Sequence, residues 1–242
     1  MCIYTVDNCY NFQIPTYESC LSSPFANVCK FLSVKIIFIE ARTFDAKYIK
    51  MIGVVLCGGQ SIRMGSDKGL ICSEAGGKMW ANIARDKFSC VSVPSFLSVN
   101  QSQIGNYHLH FKEQDLIVDN PTLKIQGPLL GLLSTYLKHP SQDLIVIACD
   151  MININEIVLK KLQDLYNSTN AEVIVFKGER IEPLCGIYSS RGLNKIYNAY
   201  QKNSLSNNSM MHALEKVETF YVPMPEEWKR FFKNFNTADD LN

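Results

Sequence analysis

The chain has 242 residues, a formal net charge of +1, 47% hydrophobic and 19% charged residues, enough for one large α/β domain or one domain with an appendage. So balanced a charge gives no electrostatic reason to expect nucleic acid or an anionic membrane surface as a partner, and no apolar run reaches bilayer-spanning length. Nine cysteines, an odd number without C-x-x-C spacing, exclude zinc-finger and thioredoxin-type readings and predict a reduced, cytoplasmic protein.

Residues 1–50 differ in texture from the rest. They carry Cys2, Cys9, Cys20 and Cys29 among stretches rich in Ser, Pro, Asn and Tyr, with no helical or strand period. They lack the basic start and unbroken apolar core of a signal peptide. Only residues 33–41 have the pattern of a strand. We expect 1–50 to be an N-terminal extension, either poorly ordered or outside the translated protein with Met51 as its start. Residues 51–242 are then the catalytic domain.

The next stretch organises the chain. Residues 52–57 form a short apolar run that predicts a buried strand, and Gly58-Gly59 breaks it. Adjacent glycines let backbone N–H groups come close to an anion. Arg63 and Lys68 add two cations, with Gly65 between them. Together they describe a polyphosphate cradle. A P-loop does not fit, because Gly59 and Gly65 enclose Gln60 to Met64 and Lys68 arrives too late; the dinucleotide fingerprint is absent as well.

Further on, Trp80, Ile83, Ala84 and Phe88 share one face of a helix within 78–88. Residues 93–99 read as a strand ending at Asn100, and residues 115–118 as a strand ending at Asp119. Gly127-Pro128 starts a helix, since proline suits the first helical position, and Leu129, Leu132, Leu133, Tyr136 and Leu137 give it a core face. Residues 144–149 are apolar without alternation, as in a central parallel strand, and Asp150 ends them. A helix over 154–165 and a strand over 172–176 follow. The four histidines show no metal-binding spacing, and the aromatic and methionine positions of 197–211 read as helix packing. Alternating strands and helices predict a doubly wound, mostly parallel α/β sheet with helices on both faces, whose ligands bind at the carboxyl ends of the strands. The loop from Gly58 to Lys68, Asn100, Asp119 and Asp150 each follow an apolar run, which points to one site.

The stretch from Leu56 resembles the opening motif of the nucleotidyltransferases, Leu-x-Gly-Gly-x-x-x-Arg-Met-Gly-x-Asp-Lys. Leu56, Gly58, Gly59, Arg63, Met64, Gly65, Asp67 and Lys68 carry it here. It is most similar to the molybdenum cofactor guanylyltransferase branch, with Cys57 where that family usually has Ala. The resemblance continues downstream. Cys149-Asp150 is similar to the family's metal-binding motif, with Ile152 where a proline often stands. Asp119 precedes a segment, 127–131, that matches the family's Gly-Pro-Leu-x-Gly helix start. Asn100 is similar to its strand-end asparagine, and residues 182–188 to its acceptor-side strand, with Glu182 in place of His or Gln. Residues 234–241 are similar to its closing Asn-x-Asn-Thr motif.

This resemblance implies transfer of GMP from GTP to a molybdopterin-type cofactor, with Mg²⁺ held by Asp150. Arg63, Lys68 and Asp150 are the implied catalytic residues, and Leu56, Cys57, Gly58, Gly59, Lys68, Asn100, Asp119 and Asp150 the implied nucleotide contacts. Pro183, Asn234 and Asn236 fall on the acceptor side. Proteins that assemble molybdenum enzymes are the implied partners. Other readings stay open on the residues alone. Asp150 can be a helix cap or a turn aspartate, Asp119 a turn residue, and Thr237 with Asp240 a capping box. The arginine pair that the family usually carries is missing from 201–211, where Lys202 is the one cation. A sister enzyme using CTP or a sugar or polyol phosphate, or a nucleotide-binding module without catalysis, remains an alternative.

Overall fold

The structure, a computed structural model, describes residues 50–58, 67–73, 77–205, 209–233 and 235; the strand pattern at 33–41 lies outside them. The strands are β1 (Met51–Leu56), β2 (Ser95–Val99), β3 (Leu116–Val118), β4 (Asp143–Ala148), β5 (Val173–Lys177), β6 (Ile181–Tyr188) and β7 (Thr219–Pro223). They form one sheet in the order β3-β2-β1-β4-β6-β5-β7. Six strands run the same way, and only β6 runs against its two neighbours. The helices are α1 (Trp80–Asp86), α2 (Ile104–His108), α3 (Pro128–Lys138), α4 (Glu156–Ser168), α5 (Ser190–Gln201) and α6 (Met210–Leu214).

Side chains of a strand point alternately to the two faces of the sheet, and each face here has its own core. Ile52, Val54, Leu144 and Val146 join Leu129, Leu132, Leu133, Leu193 and Ile196 on the face covered by α3 and α5. Val55, Ile145 and Ile147 join Ala84, Phe88, Val158 and Leu162 on the face covered by α1 and α4. All six residues of β4 are buried, which is why its sequence lacks a polar alternation. Pro128 opens α3 at its first turn, as expected from its missing N–H.

Three features differ from the sequence reading. The strand at 181–188 is antiparallel, because only residues 178–180 separate it from β5, and a parallel return needs a crossover of a dozen or more residues. β7 was not anticipated: its buried and exposed residues do not alternate cleanly, since it is an edge strand with Phe220 and Tyr221 partly exposed. The helical packing expected over 197–211 is divided between α5 and α6.

Gly186 lies inside β6, opposite Val146 of β4 and Val175 of β5. A Cβ there would stand 2.5 Å from the carbonyl oxygen of Ile174, a backbone atom held in the sheet. Gly186→Ala is therefore expected to destabilise the domain by about 1–3 kcal/mol, measured as a lower midpoint of urea unfolding.

Candidate active site

The ladder of the parallel strands runs one or two residues past their ends. Cys57 and Gly58 both donate to the carbonyl of Ser98 (2.9 and 3.1 Å), Asp119 to that of Val99 (2.9 Å) and Cys149 to that of Leu56 (3.1 Å). These bonds hold Gly58, Asn100, Asp119 and Asp150 at one edge of the sheet. A Cβ placed on Gly58 would lie 3.6 Å from Asp119 Oδ2 and 3.8 Å from the Asn100 nitrogen.

A second group of bonds fixes the chain that returns to this edge. The Asp67 carboxylate caps a 3₁₀ turn, Lys68–Leu70, by accepting from the Gly69 nitrogen at 3.0 Å. The same carboxylate accepts from the Tyr107 hydroxyl (3.1 Å) and from Gln103 Nε2 (2.5 Å). Gln103 Nε2 also donates to the Cys57 carbonyl (3.0 Å), while its Oε1 accepts from the Asn100 nitrogen (2.8 Å). One buried amide thus ties the tips of β1 and β2 to the turn carrying Lys68. Tyr107 is fully buried, and burial first, with Cys57 and Asp67 nearby, pushes its hydroxyl pKa upward. The fit at Gly69 is close, since any Cβ there would run into the Tyr107 hydroxyl.

Held this way, Lys68 Nζ meets Asp150 Oδ2 at 2.9 Å, with the two side chains 22% and 19% exposed. The residues are 82 positions apart in sequence. Asp150 is not a helix cap: the cap of α4 is Asn155, whose side chain accepts from the Ile157 nitrogen. Nor does the Asp119 carboxylate make the turn that follows it. Asn120 does that, accepting from the nitrogen and hydroxyl of Thr122 (3.0 and 2.8 Å). Asp119 Oδ1 is buried with no hydrogen-bond partner among the described residues, and burial pushes this carboxyl up to about 6.

Asn100 has a local task. Its side-chain oxygen accepts from Ser102 Oγ (2.7 Å) and the Gln103 nitrogen (3.1 Å). Leu56 and Cys57 are buried at the tip of β1, and Cys149 is buried beside them. Pro183 lies in β6, whose reversed direction brings its opening residues to the edge where β4 closes. The Pro183 carbonyl accepts from the Tyr188 hydroxyl at 2.6 Å. Arg63, Gly59, Asn234, Asn236, Thr237 and Asp240 lie outside the described residues. Phe235 between the asparagines is described, and its nitrogen donates to the Asp150 carbonyl at 3.2 Å. Sequence reasoning passed over Gln103 and Tyr107; the one available signal was a glutamine three residues after the strand-end Asn100.

Among the described residues no three His, Cys, Asp or Glu side chains converge as a metal cage. Magnesium prefers oxygen and binds through one or two carboxylates together with substrate phosphates and water, and the Asp150 carboxylate at this edge is a donor of that type.

A family model, the MobA-like NTP transferase domain, matches residues 53–217, from the first central strand to the brink of β7. The chain belongs to the MobA-like NTP transferase family. It is a nucleotidyltransferase that resembles molybdenum cofactor guanylyltransferase. A probable molybdenum cofactor guanylyltransferase of a Geobacillus species is 29% identical over 195 residues, 80% of this chain and 97% of the relative. One of Flavobacterium johnsoniae is 28% identical over 196 residues, 78% of this chain and 93% of the relative. In three dimensions the transferase is similar to molybdopterin-guanine dinucleotide biosynthesis protein A of Archaeoglobus fulgidus. The TM-score is 0.61 at 22% identity, covering 79% of this chain and 94% of that one. Its α/β sheet is thus one that nucleotidyltransferases share.

The raised pKa of Asp119 has a thermodynamic sign. Between the ordinary carboxylate value of about 4 and about 6 the folded state holds a proton that the unfolded state has lost. Stability from this group therefore falls as pH rises through that window. Asp119→Asn is expected to melt higher than wild type at pH 7–8, with the difference shrinking toward pH 4. Ligand-free thermal melts across this range check it.

Proposed function

We propose that this nucleotidyltransferase transfers GMP from GTP to the terminal phosphate of a molybdopterin-type cofactor, releasing pyrophosphate in a magnesium-dependent reaction. The supporting observation is the meeting of Lys68 and Asp150 at 2.9 Å, on the edge where the Gly58 turn, Asn100 and Asp119 also gather. An oxygen of the cofactor phosphate attacks the α-phosphorus of GTP, and the bond to the β-phosphate oxygen breaks. Both nucleophile and leaving group come from the substrates, so the protein has to position them and balance charge.

In the free enzyme Lys68 and Asp150 neutralise each other. When a triphosphate enters, Lys68 donates to its oxygens, together with the loop amides from Gly58 and Gly59 and the Arg63 guanidinium. Asp150 is the ligand for Mg²⁺, which when bound neutralises charge on the phosphate oxygens. The orphaned, buried Asp119 Oδ1 supplies an acceptor suited to a donor group of the nucleotide, and Asn100 lies beside it for the purine edge. By the resemblance, Pro183, Asn234 and Asn236 belong to the acceptor side. The closeness of the guanylyltransferase relatives favours GTP and a molybdopterin acceptor. In place of the family's arginine pair, Asn207 and Asn208 would give that acceptor weaker, neutral contacts.

On this reading the enzyme works in the cytoplasm alongside proteins that assemble molybdenum enzymes. Among the described residues no helix is long and apolar enough to cross a membrane. Residues 1–50 are an extension to a domain of residues 51–242.

The test is a panel of GTP, CTP, ATP and UTP against molybdopterin and sugar and polyol phosphates, read as pyrophosphate release with and without Mg²⁺. GTP with molybdopterin should give the highest kcat/KM; a higher value with CTP or a sugar phosphate would replace this assignment. Lys68→Ala should lower kcat by at least roughly 10²-fold while its circular dichroism spectrum stays that of wild type.

A further inference from the structure

Lys68 stands on a 3₁₀ turn and not on a strand tip, so the parallel ladder alone does not set its distance from Asp150. The residue before it, Asp67, is where the turn is held. The holding side chains come from a single helical turn. The Gln103 nitrogen donates to the carbonyl and to the side-chain oxygen of Asn100 (both 3.1 Å), which joins the end of β2 to α2. The Tyr107 nitrogen donates to the Gln103 carbonyl (3.0 Å). Residues four apart share one face of a helix, and both of these side chains reach the Asp67 carboxylate.

Neither side chain has a second way to sit. Both donor hydrogens of Gln103 Nε2 have acceptors, the Cys57 carbonyl and Asp67 Oδ2, and Oε1 accepts from the Asn100 nitrogen. The opposite orientation of the amide would set Oε1 against two acceptors, so it is excluded. Tyr107 stacks on Phe111, ring centres 5.6 Å apart and planes at 25°, within the core on the face covered by α1 and α4. Burial keeps its hydroxyl protonated, and therefore a donor.

A turn aspartate that only closed its own turn would need no more than the bond from the Gly69 nitrogen, two residues on. Here donors from 36 and 40 positions away end on the same carboxylate. They fix the turn against the sheet edge. At its far end the turn is tied by the Trp80 nitrogen, which donates to the Ile71 carbonyl (2.9 Å). We infer that Gln103 and Tyr107 are positioning residues: by holding the Asp67 carboxylate they set Lys68 at its working distance from Asp150. This rests on the role proposed for Lys68.

The experiment uses Tyr107→Phe and Gln103→Glu in the full chain, each alone and combined with Lys68→Ala. Tyr107→Phe removes one donor and keeps the ring. Gln103→Glu keeps the length and sets a second carboxylate against Asp67. With GTP, molybdopterin and Mg²⁺, Tyr107→Phe should lower kcat about 10-fold, the scale of one hydrogen bond to a charged group. Gln103→Glu should lower it on the order of 10²-fold, the scale of a misplacement of about 1 Å. In the Lys68→Ala background neither should cost more than about twofold, because residues that act as a unit are not additive. Losses that multiply overturn the inference, as does wild-type kcat in both single variants. Hydrogen-exchange mass spectrometry of the free proteins needs no substrate. Both variants should speed exchange over residues 67–71 and leave residues 143–148 of β4 as protected as in wild type. Unchanged exchange over 67–71 overturns the inference, and so does faster exchange over both segments, the mark of a residue that the whole fold needs. Wild type that transfers no nucleotide to molybdopterin, or Lys68→Ala with undiminished turnover, overturns the function reading instead, and the exchange data then decide the positioning role alone.

Discussion

Parallel pairing obliges the chain to leave neighbouring strands at the same edge of the sheet, and the site depends on this constraint. β1, β2, β3 and β4 all close at one edge, and backbone bonds continue past each tip. Groups far apart in sequence are then set down side by side without any contact made for that purpose. The buried cores on the two faces supply the stability that keeps this edge in register; the polar groups on it contribute little. An ion pair such as Lys68–Asp150 adds about 0–1 kcal/mol where it is exposed, and where buried it is often no better than an apolar pair. For the proposed reaction its value is chemical: two opposite charges that would be within reach of one incoming anion and its cation.

The turn bearing Lys68 needs a separate explanation, since it is not on a strand tip. Gln103 and Tyr107 provide it. They approach from α2 and the residue before it, and converge with Asp67 beneath the Lys68–Leu70 turn. A half-buried carboxylate that takes all these donors is a demanding arrangement, because each missing donor leaves a polar group unpaired where water reaches it poorly. The arrangement therefore either forms completely or disturbs the turn, and with it the distance from Lys68 to Asp150.

Much of this could be read from the residues. The unbroken apolar run before Asp150 marked a central strand, and the coincidence of polar residues after four apolar runs marked the edge. What stayed hidden were properties that a single strand does not encode. The direction of β6 depends on the length of its link to β5, not on its own pattern. α2 is a helix of five residues, too short to show a period. Gln103 was passed over because nothing local reveals that its amide is buried. The turn role open to Asp119 passed to Asn120, a choice between neighbours that sequence alone leaves even. Arg63 and the asparagines around Phe235 lie outside the described residues, so their place rests on resemblance.

The reversed strand also divides the sheet. β6 stands between the four strands that end beside Lys68 and Asp150 and the outer pair, β5 and β7. Its pairing with β5 slips between Val175 and Phe176, while its pairing with β4 stays regular through Cys185. The irregularity is thus confined to the outer side. The inner strands keep a regular register beside it. For the proposed transfer, this separates the side of the sheet that would meet the acceptor from the strands that would hold the donor.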